Sequence, residues 1–164
     1  MASNGKLRSM TAVYLTCGDE ILLLFRRGSR VVGDSWTGTA GGHFEKDELN
    51  DAHACAVREL FEETGLSEKD IPPLSLRYIT LRSTKGEVRQ NYYYFAEVAE
   101  KIEISSNEGD LKWFSMDEKT LDMPMPFTAK HMLAHYFREG RDTNALYGGI
   151  TDENGVTFIP MPEF

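Results

Sequence analysis

Between positions 51 and 66 the chain reads Asp-Ala-His-Ala-Cys-Ala-Val-Arg-Glu-Leu-Phe-Glu-Glu-Thr-Gly-Leu, and no other stretch constrains the fold as tightly. Asn50 or Asp51 supplies an N-cap, a helix runs to about Thr64, and Gly65 supplies the stop. At about 100° per residue, Glu59, Glu62 and Glu63 fall within an arc of roughly 100°. Ala54, Val57, Leu60 and Phe61 lie on the opposite side and are expected to bury against a sheet. Ala52, Cys55 and Ala56 share the carboxylate side and are too small to shield it. Like charges at i, i+3 and i, i+4 cost helix stability unless something neutralises them. Divalent cations that favour oxygen do so, and Mg²⁺ in particular is held by a few carboxylates plus substrate phosphates and water. A solvated charged face is the other reading of such a helix. The pair Gly41-Gly42 just upstream, where backbone can come close to a ligand, favours the metal platform.

Around that helix the rest of the chain alternates strand signals with turns. Residues 10–17 and 20–27 read as a hairpin about Gly18-Asp19, followed by a glycine- and serine-rich loop over 28–39 and a short extended piece at 41–45. Residues 74–82 and 88–98 are strand-like and joined by the turn Thr84-Lys85-Gly86-Glu87; residues 111–115 form another short strand. A second amphipathic helix is expected over 127–138, with Met132, Leu133, Tyr136 and Phe137 on one side and Gly140 ending it. Two last strands, near 145–150 and 156–161, flank the turn Asp152-Glu153-Asn154-Gly155. Strands with helices spread among them imply an α/β fold, a mixed sheet flanked by helices. At 164 residues the chain is expected to be a single domain spanning 1–164.

Charge narrows the partners. Lys and Arg number 18 against 26 Asp and Glu, a net charge of −8, which repels a phosphate backbone and excludes broad duplex DNA or RNA binding. A small anionic substrate remains open where metal ions lie between it and the protein. No apolar run approaches the roughly 18 to 20 residues of a membrane span, and the N-terminus has no apolar core of an export signal. Cys17 and Cys55 are too few for a disulfide framework. Both are expected as free thiols in a reducing cytoplasm, and nothing indicates the oligomeric state.

The stretch from Gly42 to Leu66 resembles the Nudix box, whose pattern runs Gly, five residues, Glu, seven residues, Arg-Glu-apolar-X-Glu-Glu-X-Gly-apolar. Gly42 and Glu48 match with the five-residue gap, and Arg58, Glu59, Leu60, Glu62, Glu63, Gly65 and Leu66 match the second half. The gap between Glu48 and Arg58 is nine residues rather than seven, read as an enlarged loop near Leu49-Asn50. The resemblance implies the Nudix α/β/α sandwich with a mixed β-sheet, and Mg²⁺- or Mn²⁺-dependent hydrolysis of a nucleoside diphosphate linked to a further group. It implies Glu59 and Glu63 as metal ligands, with Glu62 binding metal or orienting the attacking water. Arg58 would hold a glutamate in place, and the carbonyl of Gly41 would complete the metal shell.

Relatives add one more acidic ligand from a later loop, before an aromatic strand. Glu108, five residues before Trp113, is the candidate and Asp110 the competitor. Arg26, Arg27 and Arg30 cluster before the glycine-rich loop, and the arginine fork suits phosphate. Tyr92, Tyr93, Tyr94 and Phe95 alternate across a strand, so half face the core and some are open to stack on a base. Length, Trp113-Phe114 and the late helix resemble the oxidised-purine triphosphate diphosphatases. The expected reaction is therefore hydrolysis of a nucleoside triphosphate, an oxidised purine among them, to monophosphate and pyrophosphate. Three alternatives stand beside it: an ADP-ribose or other nucleotide-sugar pyrophosphatase, an isoprenoid diphosphate isomerase, and a non-catalytic nucleotide sensor.

Overall fold

The computed structural model describes residues 4–28 and 33–164. Nine strands form one sheet: β1 (Lys6–Cys17), β2 (Glu20–Arg26), β3 (Ser35–Thr37), β4 (Ala40–His43), β5 (Ser75–Thr84), β6 (Glu87–Glu97), β7 (Asp110–Ser115), β8 (Tyr147–Asp152) and β9 (Gly155–Pro160). The helices are α1 (Ala52–Thr64), α2 (Glu118–Leu121) and α3 (Phe127–Arg138). The order across the sheet is β3-β2-β1-β6-β5-β8-β9, with β4 paired to β1 and β7 to β2. β1–β6 and β5–β8 are parallel and the remaining pairs antiparallel, so the sheet is mixed.

Two apolar layers make it a sandwich. Leu60 and Ala56 of α1 pack with Val13, Leu15 and Tyr94 on one face. Met132, Leu133 and Tyr136 of α3 pack with Tyr14, Tyr78, Tyr93 and Phe95 on the other. Alternation along β6 divides its aromatic run as expected, with Tyr94 in one layer and Tyr93 and Phe95 in the other.

β1 matters most for the site because two strands share one of its edges. β2 pairs with Leu15 to Cys17, whereas β4 pairs with residues 10–13 of the same edge. The chain leaves β2, pairs back along it as β3, and continues as β4 beside the first half of β1. Gly42 and Gly41 thereby lie opposite Thr11 and Ala12, under α1.

Four elements differ from the sequence reading. β1 begins at Lys6 rather than residue 10, because its parallel ladder with β6 runs from Lys6 opposite Glu87 to Thr16 opposite Glu97 and needs no apolar run. Ser35–Thr37, inside the expected loop, pairs with β2 as β3, and Asp117 caps a helical turn, α2, that carries no 3.6-residue apolar period. The fourth is α1. Its buried residues are Cys55, Ala56, Leu60 and Glu63, while Phe61 is 58% exposed. The helix therefore turns its carboxylate side, not only Leu60 and Val57, toward the sheet. Small side chains at Ala52, Cys55 and Ala56 let that side approach β4 closely.

The caps behave as their residue types predict. The Asp51 carboxylate accepts from the Ala54 N–H at 2.9 Å, and Gly65 adopts φ 78° while its N–H donates to the Phe61 carbonyl. At the β5–β6 turn Lys85 and Gly86 take φ values of 50° and 76°, the left-handed pair of a tight hairpin. No helix among the described residues is long and apolar enough to cross a membrane.

The two neighbours on α1 separate the helix faces in a stability measurement. Leu60→Ala is expected to cost about 2–5 kcal/mol in urea unfolding, as for other fully buried leucines. Phe61→Ser is expected to cost under about 0.5 kcal/mol, the usual surface range; a larger loss at Phe61 would mean that its ring is covered.

Candidate active site

The extra two residues between Glu48 and Arg58 do not displace Glu48. A 3-10 turn over Lys46–Glu48 is closed by a reciprocal cap between Glu45 and Glu48, including an N–H of Glu45 donating to Glu48 Oε2 at 2.9 Å. Leu49 is left projecting into solvent, so the added length is absorbed after the turn. Glu48 itself is buried, and the Arg58 fork grips both its oxygens, Nη2 donating to Oε2 at 2.9 Å. That guanidinium, more than any other influence, holds the Glu48 carboxyl down at about 2.

Arg58 is the hub of the platform. Beyond Glu48, its Nη1 donates to Glu59 Oε1 at 2.9 Å and to Glu62 Oε2 at 3.1 Å, and its Nη2 donates to the His43 carbonyl at 3.1 Å. It reaches the glutamates rather than open solvent. Glu59 lies directly against the glycine strand. A methyl group on Gly42 would sit 2.3 Å from Glu59 Oε1, and one on Gly41 would sit 2.4 Å from the Thr11 carbonyl. A side chain on Gly42 would push the Glu59 carboxylate aside, and one on Gly41 would meet the backbone of β1.

The three box glutamates have distinct surroundings. Glu62 is the most open, with 55% of its side chain exposed. Glu63 is buried, and its Oε2 has no hydrogen-bond partner. Burial raises the Glu63 carboxyl to about 7, with Arg26 opposing the shift and Glu59 adding to it, while the Gly41 N–H donates to the carboxylate. A loop completes the cluster from outside the box. The Asn107 N–H and side-chain amide donate to the carbonyls of Glu63 and Glu62 at 3.1 and 3.0 Å, docking the loop on the end of α1. Glu108 then reaches Arg26 Nη2 at 3.1 Å, and the same nitrogen is 4.0 Å from Glu63 Oε1. Asp110 starts β7 opposite Phe25, without such a link to Glu63.

Of the three expected phosphate-binding arginines, Arg26 stands at the glutamates and Arg27 beside an adjoining open groove with Asn107 and Glu108. Arg30 lies outside the described residues. Cys55 is buried against Thr11, and burial lifts its thiol to about 11, so it is no nucleophile at neutral pH. Cys17 is half-buried, and both cysteines are free.

Among the described residues, no three His, Cys, Asp or Glu side chains converge into a ready metal cage; guanidinium groups stand between the carboxylates instead. The donor set nonetheless suits a hard divalent cation. It offers carboxylate oxygens, one of them buried and unpartnered, beside glycine backbone that lets a ligand come close.

A cavity of about 260 Å³ opens from Glu63 and Arg26 along the α3 face of the sheet. Gly38, Gly41 and Tyr93 line it, together with Arg82, Arg89 and Asn91 of β5 and β6 and Phe127 and Thr128 of α3. Sequence reasoning did not single out these last five. The available signal was period-two alternation: Arg82 and Arg89 are register partners and Asn91 lies two residues along β6, on the face that carries Tyr93.

The fold and this arrangement define a mixed-sheet α/β protein with a glutamate-bearing helix laid over a glycine strand. The NUDIX domain model matches residues 6–136, and the chain belongs to that family. As a Nudix hydrolase it acts on nucleoside diphosphate-linked substrates. A mutator MutT protein from Bacillus halodurans is 23% identical, with 95% of this chain and 99% of that one covered and a TM-score of 0.65. The NUDIX domain of Shewanella oneidensis NrtR, crystallised with ADP-ribose, is 19% identical over 85% and 90% at a TM-score of 0.62. An Ap4A hydrolase from C. elegans is 18% identical over 80% and 94% at 0.60.

The Glu48–Arg58 pair gives the pH test of this geometry. A carboxyl held at about 2 in the fold, against 4.5 when free, stabilises the fold above pH 4.5 and stops doing so as the pH falls toward 2. Glu48→Gln should therefore lower the thermal midpoint at pH 7, and its gap from wild type should close on acidification through that window. A gap that stays constant down to pH 2.5 would remove the ion pair as its cause.

Proposed function

We propose that this site hydrolyses a nucleoside triphosphate to the monophosphate and inorganic pyrophosphate in the cytoplasm, with Mg²⁺ or Mn²⁺ as cofactor and oxidised purine nucleotides among its substrates. The observation that carries the reading is the Glu63 carboxylate, buried with one oxygen unpartnered, beside Arg26 and Glu59 and opening onto the cavity. Glu59, Glu63, Glu62, the Gly41 carbonyl and Glu108 are the groups that would hold metal. When bound, the metal neutralises charge on the pyrophosphate and makes a water nucleophilic.

The chain's own residues do the rest. Glu62, the exposed glutamate, orients the attacking water and accepts its proton as the phosphorus–oxygen bond to the departing pyrophosphate breaks. Arg58, anchored on Glu48, holds Glu59 and Glu62 in place. Arg26, which pairs with Glu108 and lies near Glu63, would turn its fork to the phosphate chain, with Arg27 at the adjoining groove.

Two features weigh against the alternatives. Isomerisation of an isoprenoid diphosphate needs a reactive cysteine, and Cys55 is buried with its thiol held protonated. A non-catalytic sensor does not need every box glutamate, and all of them are present here.

Glu59→Gln and Glu63→Gln should each lower kcat at least about a hundredfold, on the order of 3 kcal/mol of barrier. Near wild-type kcat in either at saturating Mg²⁺ would dismiss the platform. Glu108→Ala should reduce metal-dependent kcat more than Asp110→Ala, and equal or reversed effects would take Glu108 out of the site. Product analysis decides the substrate, inorganic pyrophosphate from a triphosphate being the expected outcome. AMP plus ribose phosphate from ADP-ribose, at far higher kcat/KM than any triphosphate, would overturn the triphosphate reading and leave the platform standing.

A further inference from the structure

Twelve residues, 98–109, join β6 to β7 without a helix or strand, and Glu108 lies almost at their end. Ordinary contacts tie down the first half: Ile102 and Ile104 pack against the α1 core, and Lys101 pairs with Glu20 of β2. The second half, Ser105-Ser106-Asn107-Glu108-Gly109, has no apolar side chain to bury. Glu108 is nearly half exposed, and an ion pair such as its contact with Arg26 holds little on its own at such a position. Another group must keep that carboxylate at the platform.

The end of α1 supplies the anchor. A helix leaves its last four carbonyls without partners inside the helix. In α1 the first of these, Phe61, accepts from the Gly65 N–H. Asn107 takes the next two. Its side-chain amide donates to the Glu62 carbonyl at 3.0 Å and its backbone N–H to the Glu63 carbonyl at 3.1 Å. No other hydrogen bond among the described residues joins 105–109 to α1.

Two further contacts turn this anchor into a fixed position for Glu108. The Glu108 N–H donates to Ser106 Oγ at 3.1 Å. Gly109 passes so close to β2 that a methyl group there would sit 2.0 Å from the Phe25 carbonyl. Glu108 is thereby confined between Asn107 on the helix and Gly109 on the strand. The dependence is one-sided. α1 keeps its place through the Asp51 cap, the Gly65 stop and the Arg58–Glu48 pair, whereas the loop reaches α1 through Asn107.

We infer that Asn107 is a positioning residue for the cation: by tying its loop to the carbonyls of Glu62 and Glu63, it sets the gap between the Glu63 and Glu108 carboxylates so that both meet one ion. This rests on the reading of Glu63 and Glu108 as metal-holding groups. Asn107 itself touches neither ion nor substrate. Without its amide the oxygen ligands remain, but the loop must be ordered again each time metal binds, which lowers affinity. Aspartate is worse than alanine here, because a carboxylate cannot donate and would face the negative end of α1.

The test is Mn²⁺ binding to the full chain without nucleotide, read from the paramagnetic resonance of free Mn²⁺. Asn107→Ala should weaken binding about tenfold or more, the usual cost of removing a group that orients a ligand. Asn107→Asp should weaken it further. Glu108→Ala should weaken it at least as much as Asn107→Ala does. Adding Asn107→Ala to Glu108→Ala should then change affinity by less than about twofold, because the amide has nothing left to position. Asn107 is exposed, so thermal midpoints should stay near wild type. Should Asn107→Ala not fold, the isosteric Asn107→Asp, alone and with Glu108→Ala, decides. Wild-type Mn²⁺ affinity in a folded Asn107→Ala overturns the inference. So does an equal loss from Asn107→Ala with and without Glu108, which would mark a role in α1 alone. Failure of the underlying reading looks different: Glu108→Ala then binds Mn²⁺ as wild type does, which removes Glu108 from the metal and the inference with it.

Discussion

Everything at the platform depends on how closely α1 can stand over β4. The contact between Glu59 and Gly42 has no room for a side chain on the strand, and Gly41 has none toward Thr11. Such proximity brings carboxylates to backbone and to one another, an arrangement that repels itself. Arg58 makes it tolerable without metal: one guanidinium serves Glu48, Glu59 and Glu62 together. It is itself tied to the β4 end through Glu48 and the His43 carbonyl, so the helix is pinned at its centre and not only at its caps.

Most of this geometry was legible because it is local. Spacing along α1, the Asp51 cap, the Gly65 stop and the glycine pair upstream all act within about two dozen residues, where helical period and backbone permissiveness decide the outcome. The bounds of α3, Phe127–Arg138, likewise follow from an apolar stripe that ends at a glycine. What was misread is which side of α1 the sheet takes. Residue type argued that Phe61 would be buried against the sheet and that the glutamates would lie on the opposite side of the helix. The reverse holds in part, because Cys55 and Ala56 lie beside Glu59 and Glu63, and small side chains set how near two elements can come. Phe61, on the far side, was never within reach of β4. Burial of a glutamate is not visible to hydrophobicity; it becomes visible once the strand beneath is seen to be glycine.

The cavity was illegible for a different reason. Arg82, Arg89 and Asn91 are ordinary polar residues of two long strands, and only cross-strand register makes them neighbours. Thr128 joins them through the packing of α3 on the sheet, more than thirty-five residues further along the chain. No motif spans such separations. Ser35–Thr37 was missed on similar grounds, since a three-residue strand in a polar loop is defined by its partner, β2, and by nothing in itself.

Net charge and local charge also part company here. The chain carries −8, yet among the described residues the cavity is lined by Arg26, Arg82 and Arg89 against one carboxylate, Glu63. The acidic surplus lies elsewhere and makes the surface repel free polyanions at a distance, an effect that salt screens beyond about 10 Å. Inside the cavity the sign reverses, and a guanidinium in a partly closed site is screened far less than one on an open surface. An anion that enters therefore gains more from Arg82 than the bulk charge would suggest.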